Sequence, residues 1–260
     1  MGVRVVPLGS GSRGNSTLVE ADGSRVLVDA GLSGRTLVQR LDGIGIAPQR
    51  LTAIVLSHEH SDHAMGAERL SKRFGVPLVC SRATLDALDR SHRHFADWVE
   101  LRDGEELDLD GVSLTHFPIP HDAAKPVGFV LRAGGVRIGI ATDLGHATTL
   151  VVERLRGCEV LMIESNHDER MLRDGPYPWQ LKQRVASRMG HLSNGDAARL
   201  VRAVAGPDCR ALVLAHLSEK NNTPELARAA ATRALAEAGA NRVTMRVASS
   251  RRPTPPLELR

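Results

Sequence analysis

Aromatic rings are scarce in this chain: phenylalanine, tyrosine and tryptophan together make up 3% of its 260 residues. A nucleic-acid face built here cannot rest on many stacking side chains. Cysteine is equally sparse. Cys80, Cys158 and Cys209 are isolated, odd in number and form no C-x-x-C, which excludes a disulfide framework and a zinc ribbon and fits a reducing cytoplasm. No apolar run reaches the roughly 20 residues of a membrane span. The first residues enter a strand pattern without the basic and apolar regions of an export signal, so the expectation is a cytoplasmic protein with no membrane partner. No strong charge imbalance exists either: 34 Lys and Arg against 30 Asp and Glu leave a net charge of +4. That value permits a polyanionic partner without requiring one. No internal repeat of solenoid length is present.

The chain does hold alternating short strands and helices. Apolar runs at 3–8, 17–21 and 25–29 read as strands, the last two joined by the hairpin signal Asp22-Gly23. Residues 9–14, GSGSRG, fit the dinucleotide pattern G-x-G-x-x-G. A dinucleotide site needs a helix starting at those glycines, and here a hairpin follows. The loop instead reads as a tight turn offering Ser12, Asn15 and Ser16 to a phosphate. Further strands are expected at 51–56, 77–79, 98–101, 112–118, 127–132, 136–140, 160–163, 211–214 and 242–247. Helices are expected at 33–41, 64–74, 83–88, 147–155, 181–188, 196–204 and 225–237. Two strand clusters, each with its helices, indicate an α/β fold of two mixed sheets packed face to face with helices outside. We expect one domain over residues 1–250 and a flexible tail at 251–260, where prolines oppose regular structure.

The most specific feature is SHEHSDH at 57–63, directly after an apolar strand. In extended backbone residues two apart point the same way, so His58 and His60 can grip one ion. Asp62 and His63, beyond a turn, can reach a second. Imidazole and carboxylate are the ligands that zinc and its neighbours prefer. One loop cannot complete two ions, and His121, Asp143 and His216 each end a later strand. A carboxylate such as Asp143 can bridge two ions, which an imidazole cannot.

H-x-H-x-D-H, then a His before Gly-Phe, Thr-Asp after a strand and a late His together resemble the metallo-β-lactamase superfamily over almost the whole chain. The resemblance implies an αββα four-layer sandwich with a two-metal edge site. His58, His60, His121 and Asp143 would bind one divalent ion, and Asp62, His63, Asp143 and His216 the other, with zinc or manganese as cofactor. The segments IESNHD, LKQRVASRMGHLSN and AHLSEKNN, with the early Gly-Ser-Gly-Ser-x-Gly-Asn-Ser loop, are similar to the YycJ/WalJ branch, regarded as bacterial exonucleases. GHLSNGDAARLV also resembles the His-containing motif of tRNA-processing ribonuclease Z.

These resemblances imply a metal-dependent nuclease whose partner is nucleic acid, DNA before RNA: a 5′ to 3′ exonuclease, with single-strand endonuclease activity as a secondary expectation and DNA repair as the setting. Asp62 would orient the attacking hydroxide. His191 is the candidate general acid, because imidazole titrates near neutrality; its bland alternative is support for the helix start after it. Glu164 either orients His191 or merely ends a strand. His167 binds substrate or is structural. Ser218, Asn221 and Asn222 suit phosphate oxygens, or else cap the helix after Thr223-Pro224. Asp29 supports the metal loop. Tyr177 and Trp179 stack on bases or belong to the core. His92 and His94 read as solvated, while His116 and His146 lie near ligands by number only. The competing class is a hydrolase of small esters, thioesters or β-lactams. Against it stand the missing export signal and too short a stretch after His216 for a helical substrate domain. A non-catalytic module is disfavoured because every ligand position is filled.

Overall fold

The computed structural model describes residues 2–89 and 94–259. Six strands open the chain: β1 (Val3–Gly9), β2 (Ser16–Ala21), β3 (Ser24–Val28), β4 (Ala53–Val55), β5 (Leu78–Cys80) and β6 (Trp98–Glu100). Seven more follow: β7 (Leu107–Leu109), β8 (Val112–Pro118), β9 (Val127–Ala133), β10 (Val136–Ala141), β11 (Val160–Glu164), β12 (Ala211–Ala215) and β13 (Thr244–Val247). The last strand, β14 (Leu257–Leu259), returns to the first group, giving two seven-stranded sheets ordered β14-β1-β2-β3-β4-β5-β6 and β13-β12-β11-β10-β9-β8-β7.

The two sheets repeat one plan. In the first, β1, β2 and β3 form an antiparallel meander, and β3 to β6 then run parallel. In the second, β7 to β10 are antiparallel and β10 to β13 parallel. Parallel neighbours need crossovers. In the first half these contain α1 (Gly34–Asp42), α2 (Ser61–Ala64) with α3 (Ala67–Phe74), and α4 (Arg82–Asp89). In the second they contain α5 (Thr149–Leu155), then α6 (Glu169–Asp174), α7 (Trp179–Val185) and α8 (Asn194–Val204), and finally α9 (Pro224–Glu237). Ser33, Thr148, Ser193 and Thr223 cap α1, α5, α8 and α9 by accepting from the amide three residues on.

Strands buried on both faces explain the near-continuous apolar runs in the sequence. Alternate residues divide cleanly: Val5, Val19, Val26 and Val55 meet Phe129, Leu131, Ile138 and Val213 between the sheets. Val6, Leu18, Leu27 and Ile54 turn outward onto Leu37, Leu41 and Leu70. Leu161, Ile163, Leu212 and Leu214 turn onto Val151, Leu200, Val201 and Ala231. The result is the expected four-layer sandwich.

Three short elements differ from the sequence expectation. β7 and α6 are present where no element is expected, and the 251–260 segment is not a loose tail. Leu257 and Leu259 are buried, and β14 pairs antiparallel with β1. The prolines stop at Pro256, so the three residues after them can complete a sheet edge. The expected 64–74 helix is broken into α2 and α3 at Gly66, where an added Cβ would lie 2.4 Å from the Leu32 carbonyl oxygen. No described helix is long and apolar enough to cross a membrane. His92 lies outside the described residues.

Candidate metal centre

The C-terminal ends of strands in both sheets, most of them parallel, deliver the polar residues to one edge. Asp29 follows β3, the 57–63 loop follows β4, His121 follows β8, Asp143 follows β10, Glu164 ends β11 and His216 follows β12. Among the described residues, five non-glycine residues have positive φ: Asp22, Asp29, Asp110, Asp143 and His216. Asp22 and Asp110 precede glycine in hairpin turns, where that conformation is usual. The other three come within two residues of a strand end in the cluster, so the backbone accepts a sparsely populated conformation to aim them.

Three groups of ligand atoms converge there: His58, His60 and His121; beside them Asp62, His63, Asp143 and His216; and, overlapping the second, Asp143, Glu164, His191 and His216, with all atoms of a group within 4.8 Å of one another. Each ring but His60 is fixed through one nitrogen. His63 Nδ1 donates to Asp29 Oδ2 at 2.8 Å, His121 Nδ1 to the Gly190 carbonyl at 3.2 Å, and His216 Nδ1 to Glu164 Oε1 at 2.9 Å. His58 Nδ1 meets Ser57 Oγ at 3.0 Å, and that hydroxyl also donates to Asp29. The other nitrogens face the cluster. Outer-sphere anchoring of this kind sets tautomer and orientation in metal-binding histidines.

The donor set fits metal ions on the structure's own terms. His58 Nε2 and Asp143 Oδ2 are buried without a hydrogen-bond partner. Asp143 Oδ2 and His63 Nε2 approach to 2.9 Å without the alignment of a hydrogen bond. Buried polar atoms left this way ordinarily have a partner, and a shared cation satisfies both. Burial alone would lower the His63 and His216 pKa values, but the charge of Asp143 and the carboxylates around it outweigh burial, raising His63 well above the ordinary value and His216 to about 10. Burial would raise Asp143, yet those same rings hold it well below the usual carboxylate range. The Asp62, His63, Asp143 and His216 group therefore favours positive charge, as protons or as metal, whereas burial lowers the pKa values of His58 and His121. The His and Asp clusters are consistent with two metal ions.

A family model for the beta-lactamase superfamily domain matches residues 24–217. The chain is 33% identical to the exodeoxyribonuclease WalJ of Streptococcus pneumoniae serotype 2, over 92% of this chain and 90% of that protein. The chain belongs to the metallo-β-lactamase superfamily. It is also 32% identical to the exodeoxyribonuclease YycJ of Bacillus anthracis, over 92% of this chain and 91% of the other. Among solved structures, the metallo-beta-lactamase fold protein YhfI of Bacillus subtilis superposes with a TM-score of 0.76 at 17% identity, covering 99% of both chains, which supports the fold.

In this superfamily member the seven expected ligand residues meet in one place, and His191 stands at the rim. A cleft of about 150 Å³ is lined by Ser12, His60, Asp62, His121, Asp143, His191 and His216, with Asp122, Arg184 and Val185 on its wall. His191 Nδ1 donates to Glu164 Oε1 at 2.8 Å, which leaves Nε2 to the cleft. Burial opposes its charged form, but Glu164 and Asp143 prevail and raise its pKa. Glu164 is fully buried and also accepts from the Leu144 and Leu192 amides at 2.8 and 3.1 Å. Burial would raise its pKa; His191 and the hydrogen bonds bring it down to about 2.

The four residues expected to face substrate lie elsewhere. Asn15 is buried: its Oδ1 accepts from Gly11 N at 2.9 Å, and its Nδ2 approaches His63 Nε2 at 3.0 Å. Its backbone N–H donates to the Asp62 carbonyl at 2.7 Å and its carbonyl accepts from Gly31 N at 2.8 Å. Gly31 permits this contact, since a Cβ there would lie 1.6 Å from the Asp62 carbonyl oxygen. Ser218 Oγ accepts from Asn221 N at 3.2 Å, and Asn221 is wholly buried, so both shape the loop after His216. His167 is buried, forms a parallel backbone bridge with Ser193 and does not line the cleft. Asn222 ties Ser165 to Asn194. Of the remaining histidines, His116 pairs with Asp103, His146 with Arg188, and His94 is exposed.

Sequence reasoning passed over Ser10, whose hydroxyl accepts from His216 N at 2.7 Å, and Asn166, whose amide donates to the His216 carbonyl at 3.0 Å. It also passed over Asp122 and Arg184, paired at 2.7 Å on the cleft wall. The signal for Asp122 was its place directly after a ligand.

Proposed function

We propose that this protein is a cytoplasmic two-metal phosphodiesterase acting on DNA, a 5′ to 3′ exodeoxyribonuclease, carried by one domain that β14 completes. The observation that carries the reading is His191, tied through Nδ1 to a buried carboxylate and presenting Nε2 beside the seven-residue cluster. A thioester hydrolase, whose thiolate departs without protonation, has no comparable need for a dedicated acid. The similarity to two exodeoxyribonucleases over nearly the whole chain points to DNA.

His58, His60, His121 and Asp143 would hold one ion, and Asp62, His63, Asp143 and His216 the other, with zinc favoured by the histidine-rich set and manganese its competitor. Bound there, the ions would supply charge neutralisation and bring the pKa of water toward about 7. The protein's own residues do the rest. Asp62, half-buried at the cleft with one oxygen 3.4 Å from His216 Nε2, orients the nucleophile. His191, kept protonated by Glu164, gives its Nε2 proton to the departing sugar oxygen. Asn15, Ser218 and Asn221 position loops, and Asp29 with Ser57 fixes the rings of His58 and His63.

The test is hydrolysis of 5′- and 3′-labelled oligodeoxynucleotides, single- and double-stranded, with added Mn²⁺ or Zn²⁺, beside an RNA of the same sequence, nitrocefin and lactoyl-glutathione. Mononucleotides released from the 5′ end of DNA support the reading. Turnover of only the small substrates would sink it.

A further inference from the structure

Next to the metal cleft lies a second recess, and arginines set its charge. It is walled by the loop after His216, by the start of α9 and by residues 247–255, which lead from β13 to β14. Arg228, Arg251 and Arg252 line it against a single acid, Glu219. That acid already has partners: Arg13 Nη2 at 2.8 Å and the Ser250 hydroxyl at 2.9 Å. None of the three lining guanidinium groups forms a hydrogen bond or salt bridge with a described residue, although Glu225 stands one turn before Arg228. No aromatic ring lines the recess, and the exposed Trp179 lines neither it nor the metal cleft. Recognition there rests on charge. Thr254 adds an unmet polar group: it is 5% exposed, and its Oγ1 has no hydrogen-bond partner, whereas buried hydroxyls ordinarily have one.

The recess is held in shape by backbone bonds. The Ser249 carbonyl accepts from Ser10 N at 3.1 Å, the Ser250 carbonyl from Arg40 Nη2 at 2.9 Å, and the Pro7 carbonyl from Thr254 N at 2.9 Å. Arg251 N donates to Ser249 Oγ at 3.1 Å, and β14 then closes onto β1. Arg251 and Arg252 therefore leave from fixed backbone. The N-terminus of α9, with Pro224 on the recess, adds partial positive charge. The recess and the metal cleft also share their dividing loops: His216 and Ser12 line the cleft, Leu217 and Ser10 the recess. The Ser10 hydroxyl, accepting from His216 N, ties those loops together. Arg13 spans the divide, from beside Ser12 to Glu219 on the far side. Cationic groups without carboxylate partners, one residue from a metal ligand, call for an anion that reaches both places. A strand of linked phosphates does so.

We infer that this arginine recess is a second phosphate subsite: while one linkage lies at the metal centre, Arg228, Arg251 and Arg252 hold another phosphate of the same strand. The inference rests on the nuclease reading for its substrate class and adds where the strand runs, over the Arg13 ridge toward the C-terminal segment. The phosphate is either the strand's end or an internal diester. Both present the charged oxygens that guanidinium groups pair with.

The experiment measures binding of 3′-fluorescent phosphorothioate oligothymidylates, bearing a 5′-phosphate or a 5′-hydroxyl, to the metal-loaded protein by anisotropy, and separately KM and kcat on the ordinary strands. Arg228→Ala/Arg251→Ala/Arg252→Ala should weaken binding and raise KM about 10-fold with kcat unchanged. It should also reduce the slope of log K against log salt by about 0.7, the share of one phosphate. The matching lysine variant keeps the slope. Arg199→Ala/Arg202→Ala/Arg233→Ala, which removes the same charge from the groove between α8 and α9, should change neither. A loss seen only with the 5′-phosphate assigns the recess to the strand's end, and an equal loss with both strands assigns it to an internal diester. Wild-type affinity and slope in the recess variant, or the same loss in the groove variant, would overturn the subsite and leave the nuclease standing. Binding that depends on the recess without cleavage of any strand would overturn the nuclease reading and leave the subsite standing. The three substituted arginines are exposed, so a melting curve matching wild type is expected and separates lost binding from lost fold.

Discussion

Replacing Glu164 by Gln should disconnect proton supply and metal binding in a single step. Four donors point at this carboxylate: the Leu144 and Leu192 amides at Oε2, and the Nδ1 atoms of His191 and His216 at Oε1. A glutamine has one accepting oxygen. The backbone amides cannot reverse, so that oxygen must take them, and the NH₂ group then faces both imidazoles. Each ring must offer a lone pair at Nδ1, which moves its proton to Nε2. For His216 that nitrogen faces the cluster, so metal affinity should fall about 10- to 100-fold, the usual cost of losing an outer-sphere partner. For His191 the loss of the neighbouring charge and its hydrogen bond removes the largest influence raising its pKa, leaving only Asp143 to oppose burial. A general acid works while protonated, so the rate falls as pH rises through its pKa. The alkaline limb of kcat should therefore move to lower pH, and kcat at pH 8 should drop by about 10² or more. Metal titration followed by elemental analysis, with pH–rate profiles at saturating metal, separates the two effects. If Glu164→Gln binds metal as wild type does and keeps its alkaline limb in place, the assignment of Glu164 as the shared anchor is wrong.

Metal loading should expel protons. His63 and His216 have folded pKa values above their unfolded value of about 6.5, so in metal-free protein their stabilisation is complete below about pH 6.5 and is lost as pH rises, for His216 through about 10. Chelator-treated protein should melt at lower temperature at pH 9 than at pH 6, and calorimetric zinc titration in buffers of different ionisation enthalpy should report proton release; a flat metal-free profile would contradict this. Gly31→Ala should cost more than about 2 kcal/mol, because its Cβ would overlap the Asp62 carbonyl and displace the metal loop together with the Asn15 contact; a melt within a degree of wild type would refute it. Burial pushes Cys80 up to about 12 and Cys209 up to about 11 and raises Cys158, so no thiol should react with Ellman's reagent at pH 8 until the protein is unfolded.

The ligands were legible because chemistry and backbone agree at those positions: an apolar run ends, and a histidine or aspartate begins. The sandwich followed for a similar reason, since strands buried on both faces leave runs of valine and leucine that nothing else in a chain of this composition explains. β7 and β14 escaped because three residues carry too little pattern; pairing to β8 and β1 makes them strands. Asn15 misled for a deeper reason. Its loop has the composition of a phosphate cradle, but Gly14 and Gly31 let two backbones touch, a Cβ on Gly14 lying 2.6 Å from the Gly31 carbonyl oxygen. The amide that sequence alone offers to a ligand is consumed in joining them.

Asp29, Asp143 and His216 take the opposite course. Nothing in their local sequence asks for positive φ, and such a conformation costs on the order of 1 kcal/mol or more per residue. Each is held there by contacts that arrive from far along the chain. Asp29 N donates to the Val55 carbonyl, Asp143 sits against His63, and His216 N is held by Ser10. Because one strained residue comes from the first sheet and two from the second, neither sheet fixes the cluster alone. The two metal groups take their geometry from the sheets being pressed together through the valine-rich layer between them. A substitution in that layer, Val213→Ala for example, should therefore loosen metal binding as well as stability, although Val213 is itself no ligand: a cavity of this kind costs about 1 to 3 kcal/mol. If Val213→Ala melts lower but binds metal with unchanged affinity, each sheet positions its own ligands, and the strain is local.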